Sequence, residues 1–335
     1  MHIFKKEFLR IFSIVFLAAF VLVLTVGCST KMPSVRQEVV SIPPSQQQQQ
    51  EKPKPQQQQQ SQQQPVINVP KELKKYIEML EKQCAKYGWN DIKPGEIPWE
   101  YYRTTRKKRP LIFAHFGDSQ ENCVLFLGGV HGDELPTVYL MLKLAHYIKD
   151  NPQIFADKCI VIAPLVNPDG FFSNVPTRVN ANGIDLNRNF PTKDWYTKAL
   201  KQKNIKTIRN KRYYSGQKPA SEQETMFQMA LIKRFNPQKI LSAHSPLNFF
   251  DYDGPSSDLD SFEHWLERIS KESNHPLKKF GFFPGSLGNY AGHERSIFTL
   301  TLELPSSKAS KAKEYYNRFQ TSILRFINLS IVASD

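Results

Sequence analysis

The chain has 335 residues, a formal net charge of +14 and 40% hydrophobic residues. Length alone permits one large domain or two small ones. The charge would suit a nucleic-acid partner, but no nucleic-acid-binding motif accompanies it. A carboxylate-rich substrate or an anionic envelope surface fits an excess of this kind better, and plain solubility also accounts for it. The composition is uneven along the chain, and that decides the domain count. From about Pro43 to Gln64 nearly every residue is Gln, Pro, Ser or Lys. Such a stretch buries too little apolar surface to offset its ordering entropy. Residues 71–335 are long enough for one well-buried core.

Lys5, Lys6 and Arg10 form a basic flank, an apolar run from Ile11 to Val26 follows, and Gly27-Cys28 closes it. That is the layout of an export signal over residues 1–28. The run is short for a membrane span, which needs about 20 apolar residues. Leu24-Thr25-Val26-Gly27-Cys28 resembles a bacterial lipoprotein cleavage box, in which the cysteine is lipidated and becomes the new N-terminus. Such boxes usually carry Leu three positions before the cysteine, where this chain has Thr25. The resemblance implies a lipid anchor on Cys28 in the cell envelope, facing the periplasm. Ser29, not Asp, after the cysteine implies the outer membrane. An uncleaved anchor and plain secretion are the alternatives. Residues 29–70 read as a disordered Gln/Pro-rich tether, with an r.m.s. reach of about 35 Å for a flexible chain. Export leaves Cys84, Cys123 and Cys159 in an oxidising compartment, so at most one disulfide forms and one thiol stays free. Cys123 and Cys159 each precede an apolar run, so each also reads as a buried hydrophobe. No CxxC pattern marks any of them as a metal ligand.

The pattern predicts a helix over Lys71 to Tyr87, then strands alternating with helices. Leu111–His115 and Val124–Val130 are strand-like. Glu134 to Lys149 has apolar residues at helical spacing. Cys159–Val166 is a buried-strand pattern that stops at the turn signal Asn167-Pro168-Asp169-Gly170. Residues 171–220 are loop-like. Ser221-Glu222-Gln223-Glu224 is a capping box for a helix to about Phe235. Lys239–Ala243 is a strand, Ser261–Ser273 a helix, Ile297–Leu302 a strand and Lys308–Phe326 a helix. The alternation predicts an α/β fold, a mixed and mostly parallel sheet sandwiched by helices.

His131-Gly132-Asp133-Glu134 follows directly on a predicted strand, where a His and a carboxylate three apart can aim at one point. Zinc in hydrolases commonly takes two His, one Glu and a water. Alone, HxxE is weak, because a His near a strand end is usually packed or exposed. The other candidates strengthen it. His244 ends the strand Lys239–Ala243 and Glu303 ends the strand Ile297–Leu302. Open α/β sheets build their sites outside the carboxyl ends of their strands, so three strands deliver His131, Glu134, His244 and Glu303 to one edge. A carboxylate in the apolar company of Phe298, Leu300 and Leu302 is costly to bury without a partner or a task. Arg178 to Pro191 adds two arginines, Arg178 and Arg188, in an amide-rich loop, and an arginine fork matches a carboxylate bidentately.

His131–Glu134, Asn167–Gly170, Gly183-Ile184-Asp185-Leu186-Asn187-Arg188-Asn189-Phe190-Pro191, the lone His244 and Glu303 within TLTLELP together resemble the zinc carboxypeptidase family, over about Val124 to Pro305. Within it the likeness is closest to the bacterial murein peptide amidase type, through Arg178–Pro191, Gly216–Thr225 and Pro284–Tyr290. The resemblance implies a Zn²⁺ cofactor on His131, Glu134 and His244, with Glu303 as general base and acid. It implies that Arg178 polarises the scissile carbonyl, that Asn187 and Arg188 grip the substrate's free carboxylate, and that Tyr290 closes over the substrate. The implied reaction cuts an amide next to a free carboxylate, in particular the γ-D-glutamyl–diaminopimelate bond of murein stem peptides. Its partners would then be a peptide or muropeptide and, through the lipid, a membrane. An exported carboxypeptidase acting on ordinary peptides, an N-acyl amino acid deacylase and an inactive peptidoglycan-binding lipoprotein remain open.

Overall fold

The computed structural model describes residues 70–199, 212–255 and 259–331. The signal segment with Cys28, and the tether up to residue 69, lie outside the described residues. Among the described residues eight strands form one mixed sheet: β1 (Glu100–Thr104), β2 (Pro110–Phe116), β3 (Val124–Leu127), β4 (Ile160–Ala163), β5 (Lys239–His244), β6 (Phe249–Gly254), β7 (Leu277–Lys278) and β8 (Phe298–Glu303). Their order across the sheet is β1-β2-β4-β3-β5-β8-β6-β7. The central strands β4, β3, β5 and β8 run parallel, while β1 and β2 on one side and β6 on the other pair antiparallel.

The helices are α1 (Lys71–Lys86), α2 (Leu135–Asp150), the single turns α3 (Pro152–Phe155) and α4 (Pro168–Phe171), α5 (Gln223–Phe235), α6 (Leu259–Glu272) and α7 (Ala312–Asn328). Side-chain alternation along the strands sorts them into two layers. Ile112, Phe126, Ile162, Leu241 and Leu300 share one core with α1, α2, α6 and α7. Phe113, Leu125, Leu127, Val161 and Ile240 pack on Phe227 and Leu231 of α5. In α1 only the stripe Leu73, Tyr76, Leu80 and Cys84 is buried, the spacing of one helix face. In α2 burial extends round most of the helix, as expected for a helix inside the fold. Among the described residues no helix is long and apolar enough to cross a membrane.

Most predicted elements lie where the pattern puts them, with instructive differences. The strand expected over Val124–Val130 ends at Leu127. Gly128 is approached so closely that an added Cβ would lie 2.8 Å from the Thr137 carbonyl oxygen, so the backbone there turns instead of extending. The Asn167–Gly170 turn is one turn of helix, with the Asn167 side chain accepting from the Gly170 amide. The capping box at Ser221 does not form: α5 starts after Glu222 without a side-chain cap. Ser221 instead donates to Glu222, and Asn189 donates to Ser221, so the polar loop before α5 takes the capping groups. Strands β1, β6 and β7 have no counterpart among the predicted elements. Cys123 and Cys159 pair as a disulfide, which ties the starts of β3 and β4, and Cys84 is free and buried.

Candidate active site

Alternation places the reactive groups. On β5, Ser242 and His244 share the parity of Ile240 and face away from the larger core. On β8, Thr301 and Glu303 do the same, and on β6 so do Phe249, Asp251 and Asp253. The register sets them in rows across the sheet: His244 opposite Glu303 opposite Phe249, and Ser242 opposite Thr301 opposite Asp251. These rows floor a cavity of about 660 Å³, walled by His131, Glu134, Arg178, Asn187, Arg188, Arg212 and Tyr213. That is an ordinary size for a ligand pocket.

The loop after β3 supplies the first ligands. Gly132 lies against the backbone of Gly170, so closely that a Cβ would sit 2.3 Å from the Gly170 carbonyl carbon. Thr137 donates to the Glu134 carbonyl at 2.7 Å and accepts from Gly129 N–H at 3.0 Å, which clamps the loop to α2. His131 Nδ1 is 2.7 Å from Glu134 Oε1, and His244 Nδ1 is 3.0 Å from Glu134 Oε2. The two Nδ1 atoms are 3.1 Å apart. The ligand atoms of the three buried residues all lie within 4.8 Å of one another.

This donor set fits a zinc ion. It is the His₂Glu combination of hydrolytic zinc sites, and each imidazole has its second nitrogen occupied. His131 Nε2 meets Asp185 Oδ1 at 3.0 Å and His244 Nε2 meets Ser242 Oγ at 3.0 Å. Such outer partners fix ring orientation and tautomer, leaving Nδ1 to face inward. Burial works against a charge on Glu134, but His131 and His244 outweigh it and hold the carboxyl well below the usual range.

Asp185 is fully buried and does more than orient His131. Its Oδ2 accepts from Arg178 Nε at 2.9 Å and its Oδ1 from the Asn187 amide at 3.0 Å. Burial opposes its charge, yet Arg178 and then His131 keep it ionised far below the ordinary aspartate value. Arg178 Nη1 also reaches Glu134 Oε1 at 3.4 Å. The course of this loop comes from Asn167, whose Nδ2 donates to the Arg178 carbonyl at 3.0 Å and whose amide donates to Gly129 at 2.7 Å. Asn187 spends its Oδ1 on the Leu287 amide at 2.8 Å, which leaves its NH₂ for the cavity. The Arg188 guanidinium lies 4.7 Å from the Phe283 ring centroid and 5.9 Å from that of Tyr213. Glu303 faces the cavity, with the Leu247 amide 3.3 Å from its Oε2. Burial first, and then the charge of Glu134, push its pKa up against the pull of His244.

One expectation needs correction. Tyr290 does not line the cavity. It is 6% exposed, its ring packs 5.1 Å from that of Phe190, and the Arg295 guanidinium covers it at 3.4 Å. The turn over Gly288–His293 winds it into the core under α5. Apart from Asn187, the amides of the loop are mainly scaffold. Asn180 accepts from Asn182 N–H and Ile184 N–H at 3.0 and 3.1 Å and donates to Glu222 at 2.7 Å. Asn189 donates to the Ser215 carbonyl at 2.9 Å. Sequence reasoning missed Asp185, Ser242, Tyr213, Arg212, Asp251 and Asp253. Only Asp185 carried a signal, since it stands inside the motif singled out; the others gave none.

Two imidazoles and a carboxylate converging on one point, beside a second carboxylate and a group of arginines, define a metal-dependent hydrolase. The chain belongs to the zinc carboxypeptidase family: the model of that family, peptidase M14, matches residues 101–294. It is accordingly a zinc metallopeptidase or amidase of a zinc-dependent family. Murein peptide amidase A of Escherichia coli K12 is 29% identical over 237 residues, covering 68% of this chain and 89% of that protein. The protein of the same name from Vibrio campbellii is 31% identical over 204 residues, covering 60% of this chain and 76% of that one. The crystal structure of murein-tripeptide amidase MpaA from Escherichia coli O157 matches with a TM-score of 0.50 and 25% identity, over 70% of this chain and 92% of that one. Bovine thrombin-activatable fibrinolysis inhibitor matches in fold, with a TM-score of 0.60 and 17% identity over 76% of this chain and 95% of that one.

Proposed function

We propose that this enzyme cuts the γ-D-glutamyl–diaminopimelate bond of murein stem peptides, using zinc held by His131, Glu134 and His244. The observation that carries the reading is the two-sided cavity. His244 and Glu303 lie on its floor, and His131, Glu134, Arg188 and the free NH₂ of Asn187 stand on its walls. A substrate whose free carboxylate meets Arg188 and Asn187 is held with the adjacent amide over the floor. Diaminopimelate in a murein tripeptide presents that carboxylate next to the amide. The likeness to proteins named murein peptide amidase A supports the same choice.

Bound zinc supplies Lewis acidity, which polarises a carbonyl and acidifies water. Glu303 accepts the proton of the attacking water at its carboxylate and passes it to the leaving amine. The pKa raised by burial suits that double use, because a stronger base takes the proton more readily. Arg178 is held by Asp185 at Nε and reaches Glu134 with Nη1, which leaves Nη2 to donate to the oxyanion that develops on the scissile carbonyl.

The same proposal includes the address. Cys28 carries lipid and anchors the catalytic domain, through the tether of residues 29–70, to the outer membrane facing the periplasm. The Cys123–Cys159 pair supports export, since disulfides persist in oxidising compartments. To test the chemistry, the zinc-loaded full chain is incubated with murein tripeptides and with L-peptides, and products are identified by mass spectrometry. Release of diaminopimelate from the tripeptide is expected. Trimming of ordinary C-terminal L-residues with no cut in the tripeptide would replace the murein reading with that of an exported carboxypeptidase. To test the address, Cys28→Ser is expected to abolish lipid labelling and membrane fractionation. A labelled, membrane-bound Cys28→Ser protein would refute it.

A further inference from the structure

Among the described residues three arginines line the cavity, Arg178, Arg188 and Arg212, and the proposed chemistry uses only two of them. Arg178 is spent on Asp185, Glu134 and the developing oxyanion, and Arg188 on the carboxylate of the leaving residue. Arg212 has no task in that scheme. One of its donors, Nη1, meets Asp133 Oδ2 at 3.0 Å. Its Nε and Nη2 have no hydrogen-bond partner among the described residues. Asp133 Oδ1 is likewise buried without one, so a single contact joins the pair where a two-pronged fork was open to it. An arginine held at one nitrogen is aimed, yet keeps donors for a second carboxylate.

Its place in the cavity follows from its anchors. Asp133 stands between the ligands His131 and Glu134 in the loop after β3. The ring of Tyr213, the next residue, lies 5.1 Å from the Arg178 guanidinium and 5.9 Å from that of Arg188. Arg212 is thus tied to the ligand loop, whereas Arg188 and Asn187 are framed by Phe283 and Leu287. A substrate whose leaving residue is held by Arg188 and Asn187 puts its scissile carbonyl at Glu303 and Arg178. Its acyl part then continues towards the ligand loop, where Arg212 stands.

From this arrangement we infer that Arg212 binds a free carboxylate on the acyl side of the scissile amide, and so favours a γ-linked glutamyl group there. The inference rests on the proposed placement of the leaving residue and adds the acyl-side specificity. In a γ-D-glutamyl amide the α-carboxylate is left free, a few methylenes from the scissile carbonyl. In an ordinary peptide bond the α-carboxyl is itself the scissile group, and an anion is present only where a side chain brings one. Asp133 is a positioning residue in this scheme, since it aims the guanidinium without touching substrate. The Arg212 side chain is 46% exposed, so water screens the contact. Its worth then lies at the top of the range for exposed ion pairs, about fivefold in kcat/KM.

The test gives the zinc-loaded full chain L-alanyl-γ-D-glutamyl-diaminopimelate and the same tripeptide with the glutamyl α-carboxylate amidated. The free acid is expected to have a kcat/KM about fivefold above the amide. Arg212→Ala is expected to bring that ratio towards one. Arg212→Lys is expected to fall between, because it keeps the charge and loses the fork. The ratio within each protein is the readout, so a variant that folds less well still reports. Equal kcat/KM for the two tripeptides in the wild-type enzyme would overturn the subsite and leave the murein reading standing. A preference for the acid that survives Arg212→Ala would overturn the assignment to Arg212. If neither tripeptide is cut, the murein reading fails, and the subsite is judged on L-peptides with Glu or Gln before the scissile bond. A preference for Glu that is lost in Arg212→Ala would then sustain it, and any other result would overturn it.

Discussion

Asp185→Asn is the sharpest test of how the site is held. The side chain keeps its size, so packing is preserved, but the number of acceptors falls. Asp185 now accepts from three donors: His131 Nε2–H at 3.0 Å, the Asn187 amide at 3.0 Å and Arg178 Nε–H at 2.9 Å. An asparagine has one oxygen and one NH₂. Turned one way, its oxygen serves His131 and Asn187 while its NH₂ confronts Arg178 Nε–H, donor against donor. Turned the other way, it keeps Arg178 but confronts both His131 Nε2–H and the Asn187 amide. The ring then favours the tautomer with the proton on Nδ1, the nitrogen needed for the metal. Either way at least one charge-assisted bond is lost, worth about 1.5–3 kcal/mol, which is roughly a 10- to 150-fold effect. The first orientation appears as a fall in kcat through Arg178, and the second as a fall in zinc affinity. Competition with a chromophoric chelator measures the affinity, and steady-state kinetics on a murein tripeptide measures kcat. A variant within about twofold of wild type in both would refute the role given to Asp185.

Glu303→Gln is expected to keep zinc and lose about 10²- to 10⁴-fold in kcat; retention of more than a tenth of the wild-type rate would exclude Glu303 as the base. Glu303 works ionised and its pKa is raised by burial, so kcat/KM is expected to fall on acidification at a pH above the ordinary glutamate range, read from the acid limb of the pH profile. Arg188→Ala is expected to raise KM strongly, with the loss shrinking on substrates whose terminal carboxylate is amidated. Arg178→Ala is expected to lower kcat with a smaller change in KM, because it removes an interaction strongest in the transition state; the reverse pattern would exchange the two roles. The Cys123–Cys159 bond closes a loop with a sequence separation of 36, so Cys123→Ser with Cys159→Ser is expected to cost about 2–4 kcal/mol in denaturant unfolding, and an unchanged midpoint would show the pair unformed in solution.

What the sequence made legible was the part of the site that rides on strongly patterned strands. Val124–Leu127, Lys239–His244 and Phe298–Glu303 are buried central strands, and apolar runs of that kind announce themselves. A polar residue at the end of such a run stands out, so His131, Glu134, His244 and Glu303 could be placed on one edge before any coordinates. The loop Arg178–Pro191 was legible as a motif, yet its amides divide between cavity and scaffold by the path of the chain, which spacing does not encode. Tyr290 failed for the same reason. A one-turn change in the direction of an irregular helix decides whether an aromatic faces the cavity or Phe190.

Strand β6 shows most clearly what a one-dimensional pattern conceals. Phe249-Phe250-Asp251-Tyr252-Asp253-Gly254 alternates apolar and acidic residues, which ordinarily marks an exposed antiparallel strand with its acids in water. Here every residue of the strand is buried, because the apolar side packs into the larger core and the acidic side faces the cavity. The alternation is therefore two-sided in a different sense: one face is made for protein and the other for a ligand. Pairing with β8 sets Asp251 opposite Thr301 and Phe249 opposite Glu303, so a shift of one residue would turn Asp251 and Asp253 into the apolar core and Phe250 and Tyr252 into the cavity. The hydrophobic layer beneath the sheet thus fixes the polar chemistry above it. Phe250 and Tyr252 hold β6 in register, and that register carries the acids to the same floor as His244 and Glu303.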